Sequence, residues 1–102
     1  MAPRAAIEDA LRALAPRIPP HEFEAVVDHA RDSAGLRPAS AEAAAWLSLV
    51  AYVRHVFTEY DELLAGGYDA DSARFFVRDE MERTLARWGV RRRLTAEDES
   101  GN

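Results

Sequence analysis

Residues 51–64 read Ala-Tyr-Val-Arg-His-Val-Phe-Thr-Glu-Tyr-Asp-Glu-Leu-Leu and decide how the chain is interpreted. Within this stretch, side chains with definite hydrogen-bonding geometry are set into the most apolar part of the sequence. Buried polar groups have to be paired, so such a stretch is either a structural joint or a functional site. We refer to its polar members as the polar joint: Arg54, His55, Thr58, Tyr60 and Asp61.

Helical periodicity extends outward from this stretch over the whole chain, and no segment shows the sustained alternation that is typical of strands. Prolines and glycines divide the chain into a first helix at about 4–15, a second at about 20–33, a central helix from about 40, and a last helix from Asp69 or Asp71 to Trp88. Thr58, followed three residues later by Asp61, resembles a capping box, which predicts a kink there or a new short helix to Leu64. The sequence therefore predicts an all-α, compact bundle of four to five helices.

The central helix is predicted to lie in the core, because apolar residues cover most of its circumference and leave a narrow polar sector at Ser48, His55 and Glu59. In the last helix, the predicted buried stripe comprises Ala73, Phe76, Val77, Met81, Thr84 and Trp88. Residues 1–90 are expected to form one domain. Residues 91–102 turn from basic to acidic and are expected to be a flexible, disordered, charged tail.

Composition excludes several classes of protein. The chain has 102 residues, 48% hydrophobic and 30% charged, which fits one globular domain. It contains no cysteine, so it has neither a disulfide framework nor a thiolate metal site. No apolar run reaches the roughly 20 residues that span a bilayer, and acidic residues follow closely on the N-terminus, so we predict a cytoplasmic protein without membrane contact.

Arg54 interrupts the apolar arc of the central helix between Val50 and Phe57 on a helical wheel. An arginine in that position either extends its guanidinium outward or is held inside and paired. Glu80 interrupts the apolar arc of the last helix in the same way, and Asp61 is a second candidate partner. We predict a buried pair between Arg54 and one of these carboxylates, joining two parts of the bundle, and Glu80 is therefore a sixth candidate residue of the polar joint.

His55 points toward the narrow polar sector, four residues before Glu59. A histidine there could act as a base or a pH sensor. More often, such a residue lies at the surface and bonds a neighbour. An enzyme that uses His55 and Asp61 as acid and base is kept as the third hypothesis.

A metal site is not predicted. His21, Glu24, Asp28 and the nearby His29 lie on the polar side of the second helix, where charged residues belong in any case. They lack the two-histidine spacing of a helical zinc motif. We therefore predict no metal and no cofactor.

Nucleic-acid binding is the main alternative function. The short helix, Gly66-Gly67 and the longer last helix resemble a helix-turn-helix, with Arg74, Arg78 and the exposed Phe75 on the second helix and a basic run at Arg91-Arg92-Arg93. Several carboxylates interrupt this surface: Asp69, Asp71, Asp79 and Glu82. The net charge of −5 also opposes a phosphate backbone.

Four stretches carry a family resemblance: Arg17-Ile-Pro-Pro20, residues 51–64, Ala73-Arg74 and Leu85-Ala-Arg-Trp88. Together they resemble an uncharacterised bacterial family, the one catalogued as domain of unknown function 2293. The resemblance implies only that the polar joint belongs to a recurring domain plan, since that family has no assigned activity. The leading hypothesis is a non-enzymatic module that binds another protein or itself, with Arg74, Phe75 and Arg78 as candidate interaction surface.

Overall fold

The protein is built around the central helix that the sequence predicts. The computed structural model describes residues 2–36, 39–95 and 98, and this part of the chain contains five α-helices and one 3-10 turn. They are α1 (Arg4–Leu14), α2 (Pro20–Asp32), the 3-10 turn Ala34–Leu36, α3 (Ala41–Val56), α4 (Tyr60–Ala65) and α5 (Ala70–Arg87). No strand occurs in these ranges, which confirms the all-α prediction.

The helix α3 lies at the centre, because α1, α2, α4 and α5 all pack against it. Its N-cap is Ser40, whose side chain accepts a hydrogen bond from the amide of Ala43 at 3.1 Å. Its buried apolar side chains are Ala44, Ala45, Trp46, Leu49, Val50 and Val53. Within the described ranges, no helix is both long enough and apolar enough to cross a membrane.

The first two helices cover one side of α3 with the residues that periodicity selects. Ile7 and Leu11 of α1 are buried, and so are Phe23, Val26, Val27 and Ala30 of α2. Pro20 occupies the first turn of α2, where its missing N–H costs nothing.

The last helix, α5, begins at Asp69, which accepts a hydrogen bond from the amide of Ser72 at 2.8 Å. That hydrogen bond lowers the pKa of the Asp69 carboxyl. The prediction that Phe76 is buried is wrong, since its side chain is 57% exposed. The buried face is centred between Val77 and Met81, which leaves Phe76 roughly 120° away around the helix.

The segment after α5 packs back onto the domain, so the predicted free tail is wrong for its first part. Leu94 and Asp98 are only 3% and 7% exposed. Glu82 holds the segment by accepting two hydrogen bonds from Arg93 at 3.0 Å and one from the amide of Leu94 at 3.3 Å. The prediction of a tail was based on the charges of this segment and did not consider the apolar side chain of Leu94. Residues 96–97 and 99–102 of the predicted tail lie outside the described residues.

We expect Glu82→Gln to lower the free energy of unfolding by about 1 kcal/mol at neutral pH, since Arg93 is largely exposed and the pair is partly screened. The hydrogen bond from Arg93 lowers the pKa of Glu82, although burial opposes this shift. A carboxylate whose pKa is lower in the folded state stabilises the fold above its unfolded pKa, and this contribution is lost as the pH falls through the lowered folded value. Urea unfolding, measured from neutral to acidic pH, should therefore show that the free energies of unfolding of the variant and the parent converge in acid.

Glu80→Gln is the matched control, because Glu80 is exposed on the same helix and forms no ion pair within the described part of the chain. A loss at Glu80 equal to that at Glu82, or a difference that persists unchanged in acid, would contradict this prediction.

Candidate functional site

The polar joint lies where α3 ends and α4 begins. The Thr58 hydroxyl donates to the carbonyl oxygen of Arg54 and accepts a hydrogen bond from the amide of Tyr60 at 3.1 Å. Thr58 therefore closes one helix and starts the next, which confirms the predicted break and the short helix. The predicted capping box is corrected in one respect, since Thr58 accepts from the amide two residues on and not from that of Asp61.

Arg54 points inward, as the helical wheel indicates, and is 1% exposed. Its guanidinium lies 5.6 Å from the centre of the Tyr60 ring, which is also buried. The structure does not bring Glu80 to this joint, because Glu80 is exposed on α5. Among the described residues, no ion pair joins Arg54 to Glu80 or to Asp61.

The Asp61 carboxylate lies against His55 instead, with 2.8 Å between His55 Nδ1 and Asp61 Oδ1. The Tyr60 ring meets the imidazole edge-on at 5.3 Å. His55 and Asp61 are 45% and 57% exposed, so they form an oriented but solvated pair. The contact crosses the helix break, which is why a continuous helical wheel did not reveal it.

A cavity of about 430 Å³ opens beside α3, and His55 lines it together with His29, Leu36, Leu47 and Ala51. Asp61 is not among the residues that line it. The cavity also contacts Arg54, whose guanidinium is otherwise packed on Tyr60. The two residues of the enzyme hypothesis therefore do not share this cavity.

A second histidine contact was missed from the sequence. His29 Nδ1 and Ser48 Oγ lie 3.1 Å apart, joining α2 to α3. Ser48 was assigned to the narrow polar sector, yet it is completely buried. Its hydroxyl is thus a partner for His29 inside the bundle and is not exposed to a substrate.

The acidic residues of α2 that were considered for metal binding contact an arginine. Arg4 of α1 donates to Glu24 at 2.9 Å and to Asp28 at 2.8 Å, and it also bonds Glu8. This network, with hydrogen bonding to Asp28 as its largest part, raises the pKa of Arg4. In the described ranges, no group of three histidine, aspartate or glutamate side chains is arranged to hold a metal ion.

Two of the arginines considered for nucleic-acid binding, Arg74 and Arg78, are turned toward the domain. The Arg74 side chain is 14% exposed and lies 3.7 Å from Asp71. Arg78 donates to the carbonyl oxygen of Leu94 at 2.7 Å. Of the basic run, Arg92 packs on the Trp46 ring at 4.3 Å and Arg93 bonds Glu82. The three arginines of the basic run remain exposed, and Phe75 is 75% exposed.

An exposed aromatic cluster lies on the outer side of α5 and the turn before it. Tyr68, Phe75 and Phe76 are 49%, 75% and 57% exposed, and we call these three residues the aromatic surface. The Tyr68 and Phe76 rings meet nearly perpendicularly at 5.5 Å, and Phe75 meets Phe76 at 5.9 Å. Sequence reasoning found only Phe75. Phe76 was assigned to the buried stripe instead, because consecutive helical residues point about 100° apart.

A family model described as "Uncharacterized conserved protein (DUF2293)" matches residues 10–89. The match confirms the family resemblance and includes both the polar joint and the aromatic surface. The comparison with curated proteins and the comparison with solved structures found no match.

Proposed function

The chain belongs to the family of uncharacterised conserved proteins DUF2293, and on this premise we propose that it is a non-enzymatic module that binds another protein through its aromatic surface. The observation that carries the proposal is the cluster of three exposed rings at Tyr68, Phe75 and Phe76. Exposed apolar clusters on small domains commonly mark interaction sites, and aromatic residues contribute most where two proteins meet.

The geometry of the cluster favours recognition. Perpendicular contacts between neighbouring rings restrict how each ring can move. Side chains that are already ordered lose less conformational entropy when a partner binds them. The three rings therefore offer a large apolar area at low entropic cost.

Two observations support this function over its alternatives. The His55–Asp61 pair is solvated, and the Ser48 hydroxyl beside His29 is completely buried, so no solvent-accessible hydroxyl is hydrogen-bonded to a histidine among the described residues. Arg74 and Arg78 contact Asp71 and the backbone of Leu94, which removes them from the surface that a nucleic acid would need.

We expect that peptides selected from a random displayed library against the full chain will bind at the aromatic surface. Replacing Phe75 and Phe76 together by serine should weaken the binding of those peptides by roughly 30-fold or more, because the loss of even one centrally buried aromatic side chain costs about 2 kcal/mol or more. Stability should change little, since both side chains are exposed. The measurement is an NMR titration of the labelled chain, with shifts followed at residues 68, 75 and 76.

Leu47→Ser is the control, since Leu47 is also a partly exposed apolar residue but lines the cavity beside α3. Failure to enrich any peptide, or equal binding by the double serine variant, would overturn the proposal. So would a stable dimer in light scattering that dissociates in the double variant, because the second copy would then be the partner.

A low-salt filter assay with single- and double-stranded DNA tests the nucleic-acid alternative directly. Phosphate contacts dominate such binding and weaken steeply with salt. We expect no retention of the DNA on the filter. If DNA is retained, and this retention is lost when Arg91 and Arg92 are replaced, nucleic-acid binding would be the better-supported function.

A further inference from the structure

The net negative charge of this protein comes from the region that carries the aromatic surface. Residues 59–83 contain eight carboxylates and three arginines, a net charge of −5. The rest of the chain contains ten carboxylates and ten arginines and is balanced. The entire net charge of the chain therefore belongs to α4, the following turn and most of α5.

Carboxylates flank the rings directly. Asp71 and Asp79 lie one turn before and one turn after Phe75, and Glu80 lies one turn after Phe76. Residues four apart on a helix are surface neighbours, with about 5–6 Å between their Cβ atoms. Asp71 is 99% exposed, and Asp79 and Glu80 are exposed and form no ion pair in the described part of the chain.

Two of the three arginines of this region, Arg74 and Arg78, are turned away from the surface. Arg78 is directed toward the C-terminal segment, where it donates to Leu94. Arg74 is largely buried and lies at the far limit of an ion pair with Asp71. The third, Arg83, is exposed two turns beyond Phe75 and, within the described residues, forms no ion pair with Asp79 or Glu80. The carboxylates beside the aromatic rings therefore remain solvated.

We infer that the aromatic surface recognises a cationic segment of a partner protein, in which apolar side chains pack on the rings and arginine or lysine side chains reach the carboxylates and ring faces. This inference rests on the proposed function and specifies its partner. Cations are attracted to aromatic faces, and the adjacent carboxylates add to that attraction. The same chemistry occurs inside this protein, where Arg92 lies 4.3 Å from the centre of the Trp46 ring.

Charge also argues against a second copy as the occupant. A symmetric dimer formed through this surface would place Asp71, Asp79 and Glu80 of one copy near the same residues of the other. Like charges facing each other across an interface oppose association. A basic segment has the complementary charge.

The test uses three synthetic peptides that share the same leucine and phenylalanine positions and carry arginine, glutamine or glutamate at the intervening positions. We expect the arginine peptide to bind about tenfold more tightly than the glutamine peptide, with NMR shifts at residues 68, 75 and 76. Asp71→Asn with Asp79→Asn should weaken binding of the arginine peptide by about fivefold, given the modest contribution of each exposed charge. Binding of the glutamine peptide should not change. The glutamate peptide should not bind.

Asp9→Asn with Glu42→Gln is the matched control, because these two exposed carboxylates lie together between α1 and α3. If the control weakens the arginine peptide as much as the Asp71 and Asp79 variant does, the attraction is a general one and the inference is overturned. If the glutamine or glutamate peptide binds these rings as tightly as the arginine peptide, the inference fails and the proposed function stands. If no peptide shifts the rings and the library selection also fails, both are overturned.

Discussion

Replacing Trp46 by alanine is expected to lower the free energy of unfolding by about 3–5 kcal/mol, the usual cost of removing a large buried side chain. Trp46 is 1% exposed and lies on the central helix. Its ring also anchors the C-terminal segment, since its Nε1 donates to Asp98 at 2.9 Å and Arg92 packs on its face. The substitution should therefore weaken the core and release this segment together.

Trp46→Phe separates the loss of core packing from the loss of the hydrogen bond to Asp98. Phenylalanine retains much of the packing but removes the donor, which leaves the buried Asp98, among the described residues, with its bonds to Thr95 and its distant contact with Arg92. Losing one partner of a buried acceptor costs about 1–3 kcal/mol. Hydrogen exchange should then accelerate in residues 91–95, and denaturant unfolding followed by circular dichroism measures the stability.

Trp88→Phe is the matched control, because Trp88 is also buried but packs edge-on against Phe57 at 5.2 Å. If exchange in residues 91–95 accelerates equally in both variants, or in neither, then Trp46 does not anchor the segment.

The positions of the helices could be predicted from the sequence because their signals are local. Ser40 provides an N-cap within one turn, Pro20 fits only a first turn, and Gly66-Gly67 follows the end of α4. Such local signals do not determine which face of α5 becomes buried. That face depends on where α5 crosses its neighbours, and a shift of the buried face toward Met81 exposes both Phe76 and Glu80.

Part of the polar joint was also predictable, because local helical geometry determines it. The inward direction of Arg54 follows from the wheel of a continuous helix, and the structure confirms it. The His55–Asp61 contact spans a helix break, beyond which the angle of the wheel no longer applies. The contact of Trp46 with Asp98 joins residues 52 positions apart, and no local pattern encodes it.

Gly89→Ala is expected to lower the free energy of unfolding by about 2–4 kcal/mol, because two costs combine at this position. The φ of Gly89 is +87°, a conformation that side chains with a Cβ adopt only under strain. An added Cβ would also lie 2.9 Å from Cγ and 3.1 Å from Cδ of Pro16. The proline ring cannot rotate away, and the link between α1 and α2 is tied to this end of α5 by the Arg17 amide, which donates to the Trp88 carbonyl at 2.9 Å.

Gly67→Ala separates these two costs, since its φ is +101° but an added Cβ meets nothing within 4 Å. It should cost only the backbone strain, about 1 kcal/mol. Gly35→Ala, where an added Cβ also meets nothing within 4 Å and φ lies outside the strained range, should change stability little. Denaturant unfolding of the three variants then gives the steric contribution at Pro16 as the difference between Gly89 and Gly67. Equal losses at Gly89 and Gly67 would mean that the link between α1 and α2 moves aside freely, and that its contact with the end of α5 does not hold the bundle closed.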